Sequence, residues 1–220
     1  MKNSGVYRTR KKDFRRALVG ELSEALGKGV PFIHIITGPR QTGKTTAARQ
    51  AADGWSGEVH FAAADQPLPP GPEWVRAQWE AAEAKRRGGR KVLLVLDEVQ
   101  KVRGWSESVK FLWDRDRGKK PLVRVVLLGS SSLLVQKGLS ESLAGRFLPY
   151  RCSHWSLREM HEAFGWGFED WLFYGGYPGA VPLVGDFEAW SRYVAESLVE
   201  TVLARDVLQM TSVSKPTLLR

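Results

Sequence analysis

The stretch Phe32-Ile33-His34-Ile35-Ile36-Thr37-Gly38-Pro39-Arg40-Gln41-Thr42-Gly43-Lys44-Thr45-Thr46 changes character twice within a few residues. Phe32 to Thr37 is a compact β-branched run that reads as a strand. A turn bounded by Gly38 and Gly43 follows, and then an Ala-rich segment, Lys44 to Asp53, reads as a helix stopped by Gly54. Gly38 to Thr45 fits the Walker A pattern G-x-x-x-x-G-K-[ST], placed between a strand and a helix N-terminus as a phosphate-binding loop requires. Glycines let backbone N–H groups turn inward as an anion nest, and the helix dipole adds partial positive charge. Lys44 can then reach the β- and γ-phosphates of a nucleotide, Thr45 offers a hydroxyl to Mg²⁺, and Pro39, Arg40, Gln41, Thr42 and Thr46 complete the loop wall.

Outward from this stretch the chain alternates. Phe14, Leu18, Leu22 and Leu26 recur every fourth residue, so residues 14–27 read as an amphipathic helix ended by Gly27 and Gly29. After the loop come a strand at Glu58 to Ala63, a helix over about 73–87, and largely apolar runs at Val92 to Leu96 and Leu122 to Leu128. Such runs suit strands buried on both faces. A helix at 106–116 lies between them, and Phe147 to Arg151 supplies a fifth strand. The order predicts an α/β fold: a parallel five-stranded sheet sandwiched by helices through right-handed crossovers. Beyond residue 152 the alternation stops. Ser156-Leu157-Arg158-Glu159 is a capping box, and helices fit Leu157 to Phe164, Glu169 to Tyr174 and Phe187 to Val207. Two regions are expected, a P-loop core over 1–152 and a small helical appendage over 153–220.

Val92-Leu93-Leu94-Val95-Leu96-Asp97-Glu98 is a Walker B arrangement, an apolar strand delivering two carboxylates where α/β ligands bind. Asp97 is assigned to Mg²⁺. Glu98, expected on the opposite side as strand neighbours are, is assigned to polarising the attacking water. The next strand ends in Gly129-Ser130-Ser131-Ser132. Ser130 is the candidate for orienting that water or sensing the γ-phosphate, the alternative being a serine-capped helix start. For Arg146 two readings stand: charge stabilisation at the γ-phosphate, in cis or from a neighbouring subunit, and a structural ion pair.

Composition narrows the setting. A chain of 220 residues buries roughly 70% of its unfolded surface and needs no staple. Its single cysteine, Cys152, excludes an intramolecular disulfide, and no apolar leader or membrane-length run occurs, so a cytoplasmic protein is expected. The net charge of +9 points toward anionic partners. The excess clusters in residues 1–16 and from Lys85 to Lys91, which makes nucleic acid a candidate partner beside ATP; a solvated, solubilising face is the other reading. A protein partner or self-association also remains open. The four histidines are dispersed, so no metal beyond nucleotide-bound Mg²⁺ is expected.

The succession of the Gly38–Thr45 loop, Leu96-Asp-Glu-Val-Gln-Lys-Val-Arg-Gly-Trp105, Leu128-Gly-Ser-Ser-Ser-Leu-Leu134, Ser142-Leu-Ala-Gly-Arg146, Tyr174-Gly-Gly-Tyr-Pro178 and Glu200-Thr-Val-Leu-Ala-Arg-Asp206 resembles the prokaryotic AAA-type predicted ATPase family. The resemblance implies an AAA+ core with strand order 5-1-4-3-2, ATP binding and Mg²⁺-dependent hydrolysis, with Lys44, Thr45, Asp97, Glu98 and Ser130 at the Walker A, Walker B and sensor positions. Longer members continue into a winged-helix-like region and a domain similar to restriction endonucleases. This sequence stops at Arg220, and the expectation is a shortened chain without that effector domain.

Three functions follow. The first is an ATPase driving conformational change in a partner or nucleic acid. The second is a nucleotide-dependent switch or interaction module with slow turnover. The third is a P-loop kinase, against which a water-activating Glu98 argues, as does the absence of an Arg-rich lid segment.

Overall fold

The strands align because their side chains are apolar on both faces. In the computed structural model, which describes residues 14–86, 89–118, 123–130, 139 and 142–200, β1 (Ile33–Gly38), β2 (Glu58–Ala63), β3 (Val92–Asp97), β4 (Arg124–Ser130) and β5 (Phe147–Arg151) form one parallel sheet ordered β2-β3-β4-β1-β5. Read from its other edge, this is the order that the resemblance implies. β3 is buried along its whole length. Alternate residues of the central strands feed opposite layers. Ile33, Ile35, Leu94, Leu96, Val125 and Leu127 pack with α3 (Pro72–Lys85) and α4 (Trp105–Asp116). Ile36, Leu93, Val95, Val126 and Leu128 pack with α1 (Ala17–Lys28) and α2 (Lys44–Asp53).

Several polar groups inside these layers are paired. Fully buried Trp79 donates its indole N–H to Asp116 Oδ2 at 2.8 Å, tying α3 to α4, and Arg115 bridges Asp116 to Glu83. The Arg16 guanidinium, 7% exposed, donates to the buried Cys152 sulfur at 3.1 Å, so this thiol is a packed group.

Among the described residues two compact units are distinguished, one within 15–38 and 43–152 and the other comprising Phe14, 39–42 and 153–200. The first holds the sheet. In the second, α5 (Leu157–Phe164) begins at the Ser156 capping box, closed reciprocally by Glu159, and α6 (Phe168–Tyr174) and α7 (Phe187–Arg192) follow. Trp155, Met160, Phe164, Trp166 and Val181 form its core.

Several boundaries differ from those expected. α1 begins at Ala17 because Arg16 is extended, and Phe14 instead packs at a tilt against Trp155 with ring centroids 5.2 Å apart. The helix expected over Phe187–Val207 is α-helical only to Arg192, after which Tyr193–Glu200 winds as a π-helix. Residues beyond 200, like Ser131 and Ser132, lie outside the described residues. Among the described residues no helix is long and apolar enough to cross a membrane.

His34 in β1 is fully buried, sharing a 3.0 Å hydrogen bond with the Tyr150 hydroxyl while its Nε2 has no partner among the described residues. Burial, with the Arg124 charge adding, lowers its pKa from 6.5 to about 4. Below pH 6.5 an unfolded chain takes up a proton that the folded chain refuses. Stability is therefore full above pH 6.5 and falls as pH drops toward 4. Across that window the wild type is expected to lose about 3 kcal/mol more than His34→Leu in urea denaturation, and parallel curves would contradict this origin of the pH dependence.

Candidate functional site

β1, β4 and β3 are neighbours, so their C-terminal tips bring Gly38, Ser130 and Asp97 to one edge of the sheet, with Gly38 paired in register to Ser130. Gly38 is required sterically: a Cβ there would lie 2.0 Å from the Cys152 carbonyl oxygen, where β5 passes. At the other end of the loop Gly43 starts α2 at φ 92°, in the left-handed region that favours glycine. No side chain caps this helix, and its first turn holds no acidic residue. An uncapped, positively polarised N-terminus of this kind suits an anion.

Around that N-terminus the sheet unit gathers a cation, a hydroxyl and a carboxylate. Lys44 is 7% exposed and donates from Nζ to the Gly38 carbonyl at 2.9 Å, folded over the loop it serves. Thr45 donates from Oγ1 to Asp97 Oδ2 at 2.7 Å, and the Glu98 N–H donates to Asp97 Oδ1 at 2.8 Å. Burial raises the Asp97 pKa above the usual carboxylate value, and the Glu98 charge adds to this; the Thr45 bond, the Glu98 N–H and the Lys44 charge act against it. A buried carboxylate and a hydroxyl in contact are hard oxygen donors, the set that Mg²⁺ prefers.

Glu98 does not continue the strand alternation that the sequence suggested. Its φ is 52° and ψ 37°, a left-handed conformation rare outside glycine, and it leads into a 3₁₀ turn at Val99–Lys101. Its carboxylate is met by Gln100, whose Nε2 also reaches Ser130 Oγ at 3.1 Å. Gln100 stands in the quoted motif, yet the sequence assigned it no role. Nothing in a linear pattern signals that a residue two positions on folds back, because the reversal depends on the backbone at Glu98.

The remaining expected residues divide. Thr46 is exposed on α2. Pro39, Arg40, Gln41 and Thr42 cluster with the helical unit. Within that unit, Thr42 donates from Oγ1 to the Pro39 carbonyl at 2.9 Å, its own carbonyl accepts from the Trp155 indole at 3.0 Å, and Gln41 accepts from the Tyr193 hydroxyl. Trp155 and Tyr193 were not singled out from sequence.

Arg146 is not brought to the Lys44–Asp97 group. It immediately precedes β5, at the sheet edge opposite the strand tips, and its guanidinium holds Asp114 through two bonds of 2.9 and 3.0 Å. The Asp114 carboxyl is lowered by that bond. In the basic cluster around Lys85, Lys85 donates to the Val59 carbonyl and Arg90 pairs with Glu58, while Lys91 is exposed.

A parallel sheet ordered β2-β3-β4-β1-β5, with a glycine-bounded loop leading from β1 into α2, is the fold of AAA-type P-loop ATPases. The family model described as an AAA domain matches residues 31–161, and the chain belongs to this AAA domain family. The Walker-type ATPase PABY2304 of Pyrococcus abyssi is similar over 93% of this chain and 79% of that chain, with a TM-score of 0.62 and 16% identity. Cdc6p from Pyrobaculum aerophilum is similar over 72% of this chain and 50% of that chain, with a TM-score of 0.50 and 13% identity. At these identities the likeness is one of fold. No curated protein matches the sequence significantly.

Trp155 is 3% exposed, and Phe in its place keeps the ring contacts while removing the indole N–H. Trp155→Phe is expected to destabilise the chain by about 1–3 kcal/mol in denaturation followed by circular dichroism. A change within about 0.3 kcal/mol would show that the bond to Thr42 contributes little to stability.

Proposed function

We propose that this chain is a Mg²⁺-dependent ATP hydrolase in which turnover drives a conformational change in a partner or in nucleic acid. The observation that carries the reading is the partly buried contact of Thr45 with Asp97 beside Lys44 and the uncapped N-terminus of α2. Lys44 and the α2 backbone N–H groups would hold the β- and γ-phosphates, and Thr45 and Asp97 would hold the metal. Bound Mg²⁺ would supply neutralisation of charge on the phosphate oxygens. Glu98 acts as the base, taking a proton from water, and Ser130 orients that water or the γ-phosphate from the tip of β4. A cytoplasmic setting is part of this reading, and the single thiol, Cys152, is buried and accepts from Arg16.

The alternative is a nucleotide-dependent switch with slow turnover, and the position of Arg146 favours it. With that guanidinium engaged by Asp114 away from the strand tips, a lone chain brings no arginine from this position to developing γ-phosphate charge. Turnover would then wait for a partner or a second copy.

The two readings differ in rate. Purified protein with Mg²⁺-ATP, with and without double-stranded DNA, is expected to release phosphate, and Glu98→Gln is expected to bind ATP normally but turn over about 10²-fold or more slowly. Lys44→Ala is expected to lose nucleotide affinity. Wild-type binding without turnover favours the switch, and unimpaired ATP binding by Lys44→Ala would refute the phosphate site. Stimulation by DNA would assign a role to the +9 charge.

A further inference from the structure

We infer that Gln100 is a positioning residue that ties the Glu98 carboxylate to the Ser130 hydroxyl, so that the base and the strand-tip hydroxyl are held as one unit. The inference rests on the ATPase reading and deepens it. Gln100 Nε2 lies 2.5 Å from Glu98 Oε2 and 3.1 Å from Ser130 Oγ. A carboxylate only accepts, so the amide nitrogen must face Glu98; reversed, the amide would set oxygen against oxygen. Both hydrogens of the amide are then used, one on each partner. Ser130 Oγ accepts, which turns its own hydrogen away from Gln100 and leaves it to donate elsewhere. Glu98 is engaged through Oε2, and its Oε1 makes no hydrogen bond among the described residues. That second oxygen is the one able to face a water.

Two unfavourable features sit side by side here. Glu98 adopts φ 52°, which an L-residue rarely does, and Gln100 Oε1 is buried without a partner among the described residues. Neither helps the fold by itself. A left-handed residue after β3 is nevertheless what allows the 3₁₀ turn to swing Gln100 back over Glu98 and toward the tip of β4. Local strain and an unsatisfied amide oxygen retained together at the end of the Walker B strand indicate a geometry kept for positioning. Ser130 is 1% exposed and is paired in register with Gly38 of β1, so the rigid partner is Ser130 and the group being located is Glu98.

The test is Gln100→Leu, which keeps the volume and removes both N–H groups. Its kcat is expected to fall about tenfold to hundredfold, the loss typical of a misplaced catalytic group, while the Kd for Mg²⁺-ATP stays within about twofold of wild type. The double variant Gln100→Leu/Ser130→Ala is expected to be no more than about twofold slower than the slower single variant, since both break one linkage. If Gln100→Leu does not fold, Gln100→Glu, equal in shape, sets a carboxylate against Glu98 and is expected to show the same split. A readout without nucleotide is the side-chain amide pair of Gln100 in the ¹H–¹⁵N spectrum, expected to shift in Glu98→Ala and in Ser130→Ala.

A kcat within about twofold of wild type in Gln100→Leu, with Glu98→Gln inactive, would overturn this inference and leave the ATPase reading standing. Loss of affinity in step with kcat would also overturn it, because that marks a merely structural role. Absence of turnover in the wild type would overturn the ATPase reading, and the amide resonance would still decide the linkage: unmoved in both variants, it overturns that too.

Discussion

The hydrogen bond from Thr45 to Asp97 joins the first turn of α2 to the tip of β3, and it forms here because β1, β4 and β3 run parallel with all three tips at one edge. The parallel order, the crossover helices and the close approach permitted by Gly38 all serve this meeting. Asp97 is costly where it stands: burial works against its ionised form, and Thr45, the Glu98 N–H and Lys44 offset this only in part. A cation shared by the hydroxyl and the carboxylate would remove the remainder. On the reading proposed above, a metal ion here would relieve a carboxylate that burial disfavours.

The same edge shows how neighbouring carboxylates come to differ. Asp97 is the last strand residue and its carboxylate accepts from two donors, Thr45 and the Glu98 N–H. Glu98 leaves the strand in a left-handed turn, and among the described residues its carboxylate accepts from the Gln100 amide. Backbone conformation separates the two more than side-chain chemistry does. Arg146 illustrates the complementary constraint. A residue entering β5 starts from the opposite edge of a parallel sheet, so its guanidinium is held by Asp114 there and not at the strand tips.

Much of this was legible in the residues. The apolar runs at Val92–Leu96 and Leu122–Leu128 read as strands buried on both faces, Gly54 marked the end of α2, and β2 and β5 have the limits read from the sequence. Lys44, Thr45 and Asp97 were identified by motif, and the structure brings these three together. What escaped was set by backbone torsions and long-range contacts. Alternation placed Glu98 on the far side of a strand that ends one residue earlier. The apolar periodicity after Phe187 is compatible with either helical winding, so the change to a π-helix at Tyr193 left no trace. The indole bond to Thr42 spans more than a hundred residues of sequence, beyond any local pattern.

The central claim is that Lys44, Thr45 and Asp97 form one preorganised site for a nucleotide and its metal. Calorimetric titration of ATP into the wild type and into Asp97→Asn, each with and without Mg²⁺, tests it most directly. The account predicts that Mg²⁺ tightens ATP binding to the wild type and has little effect on Asp97→Asn. Equal enhancement by Mg²⁺ in both proteins would contradict it, because the buried carboxylate would then have no part in holding the metal.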